Sequence, residues 1–358
     1  MSRPAIAYIN LNHLRHNYRL LTQRSTGASV MAIIKANGYG HGQALIAPVL
    51  LAEGCRHFGV TDACEGAQLR KLLAAAGSGE ESTIAMLAGI YDKEDAGLAT
   101  AHALTPAITD SAQIGLLKEA GFHGSVWIKI DTGMNRLGAE QPQLLIKQCH
   151  DSAIAVRGIM SHLACADEPD HPMNRQQAAS FSSQCRQIDP QLPRSLLNSA
   201  GIITMPEEAG DIVRPGLALY GIEPLPAMPV GLKPVMTLTG AIVQVRNIPA
   251  GASISYGASF TARQPMRIAV VSLGYADGLP RGLSNKGQAF LRGQTLPVVG
   301  RVCMDYTMLD ITGTDAEQGD YVEFWGENIS AGDVAGALDT ISYTLFTGIG
   351  ERVTRLAV

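Results

Sequence analysis

A lysine, Lys35, closes the short apolar run VMAIIK at 30–35, and the chain then turns through ANGYGHG, with three glycines and a tyrosine in seven residues. An ammonium group at the end of a buried strand is costly unless it is paired, neutral or covalently used. Chemically capable residues close other apolar runs as well. Lys129 and Asp131 end VWIKID at 126–131, His162 ends VRGIMSH at 156–162, and Asn198 ends SLLN at 195–198. Arg214 lies shortly before LALYG at 217–221, where Gly216 and Gly221 bracket the run. Taken singly, each has a bland explanation: Lys35 could snorkel, His162 could be a satisfied core histidine, and the glycines could merely turn the chain. Their common position favours a site. Desolvation lowers a lysine's pKa and exposes an amine suited to Schiff-base chemistry. Its partner would be an aldehyde cofactor such as pyridoxal phosphate, although a cofactor-free Schiff-base aldolase satisfies the same requirement.

These residues need elements to hold them. Eight short runs, at 30–35, 58–62, 83–87, 104–109, 126–131, 156–162, 195–198 and 217–221, alternate with helix-like stretches. DSAQIGLLKEAG carries an Asp N-cap and a closing Gly, and ALIAPVLLA at 44–52 reads as helix core. The count and spacing predict an α/β fold, a (β/α)₈ TIM-type barrel, with a doubly wound open sheet as the competing arrangement. Catalytic groups of such barrels sit at the carboxyl mouth, and phosphate commonly binds after strands seven and eight. From residue 231 the runs become strand-like, and only AGDVAGALDT at 331–340 looks helical. The expected division is a barrel over 1–230 and a mainly β C-terminal domain over 231–358.

Composition excludes several classes. The net charge is −4 with no Lys/Arg cluster, which gives no footprint for nucleic acid. The N-terminal MSRPAIAYIN lacks a signal-peptide core, and no apolar run is long enough to span a membrane. Cys55, Cys64, Cys149, Cys165, Cys185 and Cys303 have no CxxC spacing, so reduced thiols, a cytoplasmic location and no metal site are expected.

IKANGYGHG at 34–42 resembles the cofactor-lysine signature of alanine racemases. KIDTGMNRLG at 129–138, MSHLACADE at 160–168, LNSAG at 197–201 and VRPGLALYG at 213–221 follow in family order. So do SYGASF at 255–260, SLGYADGLPR at 272–281, VGRVCMDYTMLDIT at 299–312 and ISYTL at 341–345. The similarity spans nearly the whole chain. The C-terminal TLFTGIGERVTRLAV departs from it, since a proline or cysteine usually follows ISY closely in the family.

The resemblance implies pyridoxal 5'-phosphate as cofactor, alanine as substrate, and a head-to-tail homodimer with shared active sites. Lys35 would hold the cofactor and serve as base for the D-enantiomer. Tyr256 of the other subunit would be the opposed base for the L-enantiomer, helped by His162 and Arg214. Arg214 would also meet the cofactor's pyridine nitrogen and, being unable to give up its proton, keep that nitrogen neutral. Tyr39, Asn198, Ser199, Gly216, Leu217 and Tyr343 would hold the cofactor, chiefly its phosphate. Arg136 would face the substrate carboxylate, and Lys129 matches a lysine often carbamylated in the family, with Asp131 as the alternative partner for Arg136. Tyr275, Met304, Asp305 and Cys303 would line a narrow entrance contributed by the partner. The alternatives are a serine, lysine or broader-specificity racemase, a barrel decarboxylase, and a non-catalytic pyridoxal-phosphate carrier. Export or membrane segments would mark the first, while SYG and VGRVCMD as a set argue against the other two. Whether the reaction supplies the cell wall or serves catabolism stays open.

Overall fold

The computed structural model describes residues 3–77 and 81–358; Met1, Ser2 and residues 78–80 lie outside the described residues. The first strand, β1 (Ala5–Ile9), leads into a helix over Leu11–Arg24. The carboxamide of Asn10 caps that helix by accepting N–H bonds from Asn12 and His13. The barrel follows as β2 (Ser29–Ile33), β3 (His57–Val60), β4 (Thr83–Met86), β5 (Thr105–Ile108), β6 (Ser125–Lys129), β7 (Ala155–Met160), β8 (Arg194–Ser195) and β9 (Ile212–Val213). All neighbours in this ring are parallel, in the order β8-β7-β6-β5-β4-β3-β2-β9. Arg214 N–H to Leu197 O and Asp211 N–H to Arg194 O, each 2.9 Å, close β9 against β8. The open-sheet alternative is thereby excluded.

Aspartates punctuate the strand-to-helix turns. Asp62, Asp92 and Asp110 each accept from the amide three residues on and start the helices Ala63–Ala75, Lys93–Ala101 and Ser111–Glu119. The run expected as helix core lies in Gln43–Ala52.

The expected eighth strand is a correction. Leu217–Tyr220 is a 3₁₀ turn, and the strand lies earlier, at Ile212–Val213. All four residues of LALY are buried, so an apolar run carries no periodicity that separates strand from turn. Gly221, at φ +87°, ends the turn where an added Cβ would lie 1.9 Å from Lys233 O.

The second sheet is built around β10 (Met236–Ile248), which pairs antiparallel with β1, with Met266–Val271 and with Tyr321–Trp325. Thus β1, counted within 1–230 in the expected division, is hydrogen-bonded into the second sheet, and Thr354–Ala357 flanks it in parallel. Besides the expected helix, here Ala331–Ala337, a second helix spans Ser342–Thr347 and takes in the ISYTL motif from its second residue, with Ile341 as N-cap. Its burial against the barrel decides for helix what a five-residue motif could not. The main hydrophobic core runs from the barrel into this domain without a break. Among the described residues no helix is long and apolar enough to cross a membrane, and no His/Cys/Asp/Glu cluster could hold a metal.

Asn17 ties the two halves together. Its buried carboxamide donates to Leu219 O at 3.1 Å and Lys233 O at 2.8 Å, and accepts from Lys233 N–H at 2.8 Å. Asn17→Leu leaves those backbone groups unpaired, at about 1–3 kcal/mol each where water stays excluded. Urea unfolding should show a stability loss of about 3 kcal/mol or more with an unchanged m-value.

Candidate active site

A cavity of about 840 Å³ opens at the carboxyl mouth of the barrel. Lys35, Tyr39, Lys129, Arg136, His162, Asn198, Ser199, Arg214, Gly216 and Leu217 all line it, and Tyr343 comes over it from the second domain. The structure therefore brings these barrel-borne candidates together, while Asp131 does not line the cavity. Tyr256, Tyr275, Cys303, Met304 and Asp305 do not line this cavity of their own chain. Tyr256 is 71% exposed and Met304 52% exposed on the second domain. Ser255 joins the two motifs on that surface, donating its hydroxyl to Arg301 O at 2.7 Å and lying 3.4 Å from the Cys303 thiol.

Lys35 leaves β2 at the start of a left-handed turn. Ala36, Asn37, Gly38 and Tyr39 have φ between 50° and 64°, followed by Gly40 at 76°. Each non-glycine residue in this conformation costs roughly 1–2 kcal/mol, so the surroundings must hold it. Glu65 does so at one end: its carboxylate accepts Ala36 N–H at 2.6 Å and Thr61 N–H at 2.8 Å. Arg355 does so at the other, donating to Gly40 O at 2.6 Å. Glycine is required at 40 because a Cβ would fall 2.0 Å from Phe346 O in the second-domain helix. Gly216 similarly opens a cradle, since its Cβ would lie 2.5 Å from the Tyr39 hydroxyl.

The cavity is strongly electropositive. Burial lowers the pKa of Lys35, and Arg136 lowers it further against the opposing Glu65. Burial, with Arg214, Arg136 and Lys35 nearby, brings Lys129 down to about 8, and its ammonium donates to Leu87 O at 3.1 Å. Burial and the same surrounding cations push His162 to about 3, so its imidazole is neutral. Arg214 is fully enclosed and burial moves it to about 10, well above neutral pH, so it remains charged. Its guanidinium donates to Ser195 Oγ at 2.5 Å, to Leu196 O at 3.1 Å and to Ser161 O, and reaches His162 Nδ1 at 3.4 Å.

Other side chains are engaged locally. Ser199 Oγ accepts Gly216 N–H at 2.9 Å and Ala218 N–H at 3.2 Å. Asn198 Oδ1 accepts Gly201 N–H at 3.0 Å, at the start of the short helix there. Asp131 takes Gly133 N–H at 2.6 Å and the backbone N–H of Arg136 at 3.2 Å, so it shapes the loop that carries Arg136. Burial would raise the Asp131 carboxyl, but the amides of this loop outweigh it and hold the group below its usual range.

Three residues at the site escaped sequence reasoning. Glu65 carries a faint signal, because Asp62 and Glu65 have capping-box spacing. Tyr220 donates to Ile33 O at 3.0 Å and packs its ring on Tyr39, but it lay inside a run read as strand. His41 sits within the lysine signature itself, with nothing in its spacing to assign it a task.

Comparison with known proteins places this geometry. The family model described as "Alanine racemase, N-terminal domain" matches residues 9–224, and "Alanine racemase, C-terminal domain" matches residues 235–357. A protein named "Alanine racemase" from Azoarcus sp. (strain BH72) is 37% identical over 99% of both chains. One named "Alanine racemase, catabolic" from Agrobacterium fabrum is 38% identical over 97% of this chain and 90% of its own. The crystal structure of a biosynthetic alanine racemase from Pseudomonas aeruginosa superposes with a TM-score of 0.90 at 34% identity, covering 99% of both chains. That of an alanine racemase from Bartonella henselae with covalently bound pyridoxal phosphate also gives 0.90, at 33% identity and 99% coverage of both. With both domains matched in order and relatives aligned end to end, this chain belongs to the alanine racemase family.

Proposed function

We propose that the protein interconverts L- and D-alanine with pyridoxal 5'-phosphate, using Lys35 and a partner subunit's Tyr256 as opposed bases. The observation that carries this reading is one cavity that gathers a lysine of lowered pKa with Lys129, Arg136 and Arg214. That donor set suits a doubly anionic ligand: a phosphate at one end and a carboxylate at the other. The Gly216 cradle beside the Tyr39 hydroxyl leaves room for the phosphate end. When bound, pyridoxal phosphate supplies an aldehyde that condenses with amines and a ring that delocalises the electron pair left at an α-carbon.

The chain's own groups do the rest. Tyr39, Tyr343, Ser199 and the amides around Gly216 and Leu217 bind phosphate, while Asn198 holds the loop beneath it. Arg136 orients the substrate carboxylate. Arg214, fixed on Ser195, Leu196 and Ser161, presents a donor that does not surrender its proton to a ring nitrogen. Racemisation needs a base on each face of the α-carbon, because one base returns the proton to the face it came from. Lys35 serves one face. Tyr256 serves the other, its loop meeting a second copy together with Tyr275, Cys303, Met304 and Asp305. Arg214 donates to His162 Nδ1, so the neutral ring carries its proton on Nε2 and can donate to a phenolate there.

Lys129 is suited to carbamate formation. Near pH 8 about half of it is free amine, which attacks CO₂ to form N–C, releasing one proton. The product anion lies among Arg136, Arg214 and Lys35, and would orient Arg136.

Two experiments test the reading. Tyr256→Phe should retain cofactor and lose racemisation by about 10²–10⁴-fold; an unchanged rate would refute the assigned base. Mixing Tyr256→Phe with Lys35→Ala should restore activity to about a quarter of wild type, since half the dimers are mixed and each has one intact site. No recovery on mixing would place both bases in one chain.

A further test concerns pH. In cofactor-free protein without CO₂, the folded Lys129 releases its proton near pH 8 and the unfolded one near 10.4. Between those values the unfolded state binds more protons, so stability from this group rises with pH. Lys129→Met should flatten that rise and gain stability below pH 8, read as denaturant midpoints across pH 7–10.5.

A further inference from the structure

We propose that His41 is a positioning residue: it holds the left-handed turn so that the Tyr39 phenol faces the phosphate end of the cavity. This rests on the cofactor reading above, but the residue and its task are separate from it. The His41 ring is wholly buried. Its Nδ1 lies 2.8 Å from Tyr39 O and 3.1 Å from Gly38 O. Both neighbours are acceptors, so Nδ1 must carry the proton. Nε2 is buried with no hydrogen-bond partner among the described residues. Burial lowers the imidazole to about 4, so this donor arrangement persists across neutral pH.

The ring is also fixed on both sides. Its centroid lies 4.4 Å from that of Tyr220 and 4.9 Å from that of Phe346, the latter edge-on. Tyr220 in turn lies 4.9 Å from Tyr39, and Tyr39 lies 5.6 Å from Tyr343. Five rings from three segments thus form one chain, ending on the two phenols that face the cavity. Within it His41 alone supplies a donor to the turn, at the carbonyls of Gly38 and Tyr39. Arg355 takes the next carbonyl, that of Gly40. Removing the His41 donor frees Tyr39 to rotate its peptide and withdraw its hydroxyl.

The test compares pyridoxal 5'-phosphate with pyridoxal, which lacks the phosphate, each titrated into cofactor-free protein and followed by the absorbance of the lysine-bound aldehyde. His41→Asn places an amide N–H where Nδ1–H was, His41→Gln places one at the Nε2 position, and His41→Leu supplies none. The Gln and Leu variants should lose about tenfold or more in affinity for the phosphorylated compound, a loss the size of one strong hydrogen bond. For pyridoxal the change should stay below about threefold, and the Asn variant should match wild type for both. Wild-type affinities in all variants, or equal losses for both compounds, would overturn the proposal. If the Leu variant does not fold, the Asn and Gln pair decides it. Wild-type protein that takes up neither compound would defeat the cofactor reading itself, whereas wild-type uptake with indifferent variants defeats only the role of His41.

Discussion

Four cationic side chains, Lys35, Lys129, Arg136 and Arg214, converge at the mouth of the barrel, and each acts on the neutral His162 between them. Two nearby carboxylates are engaged by backbone amides, Glu65 by those of Ala36 and Thr61, and Asp131 by the loop of residues 133–136. Burial first, and then the neighbouring cations, depress both lysines, and Glu65 and Asp131 offset this only in part. An arrangement of this kind destabilises the ligand-free chain and is relieved by an anion. The same constraint gives Lys35 a reactive amine, gives Lys129 an accessible free form, and leaves His162 able to donate only from a neutral ring.

Holding that repulsive cluster requires rigid support, and the support comes from both domains. Barrel strands fix the Cα positions, yet the turn after β2 is intrinsically disfavoured and depends on contacts from outside the barrel. The helix Ser342–Thr347 brings Phe346 against Gly40 and His41, and the terminal strand brings Arg355 to the Gly40 carbonyl. Asn17 locks the return path between Leu219 and Lys233. The second domain is thus a structural part of the barrel's own site, which agrees with a core that continues across both.

Much of this was legible in the sequence because each piece has a local signature. Asp-capped helices alternate with apolar runs, and polar residues at the strand ends mark the mouth of the barrel. The misplaced eighth strand shows the limit: LALYG is buried all round, and burial on every side erases the period that distinguishes strand from turn. Strand β1 lies at the start of the chain, while its partners are residues 236–240 and 354–357, over 200 positions away. Glu65, His41 and Tyr220 were missed for a related reason. Their tasks are hydrogen bonds to main-chain atoms of the left-handed turn or of the strand end before it, and no residue pattern announces that a turn will be left-handed when alanine, asparagine and tyrosine occupy it.

The exposed tyrosine gives the remaining step. The phenols lining the chain's own cavity are Tyr39 and Tyr343. Burial and neighbouring groups raise both above their ordinary range, so neither is set up to remove a proton near neutral pH. Both also belong to the ring chain that runs through Tyr220 to His41. Tyr256 differs in kind: it stands out from a short 3₁₀ turn anchored on the 301–303 loop, with most of its surface open. An electropositive cavity with a neutral imidazole donor is a surface that favours phenolate. Under the proposed reading, association of two chains then does two things at once: it carries the second base to the open face of the cavity, and it gives that base the environment in which it can work.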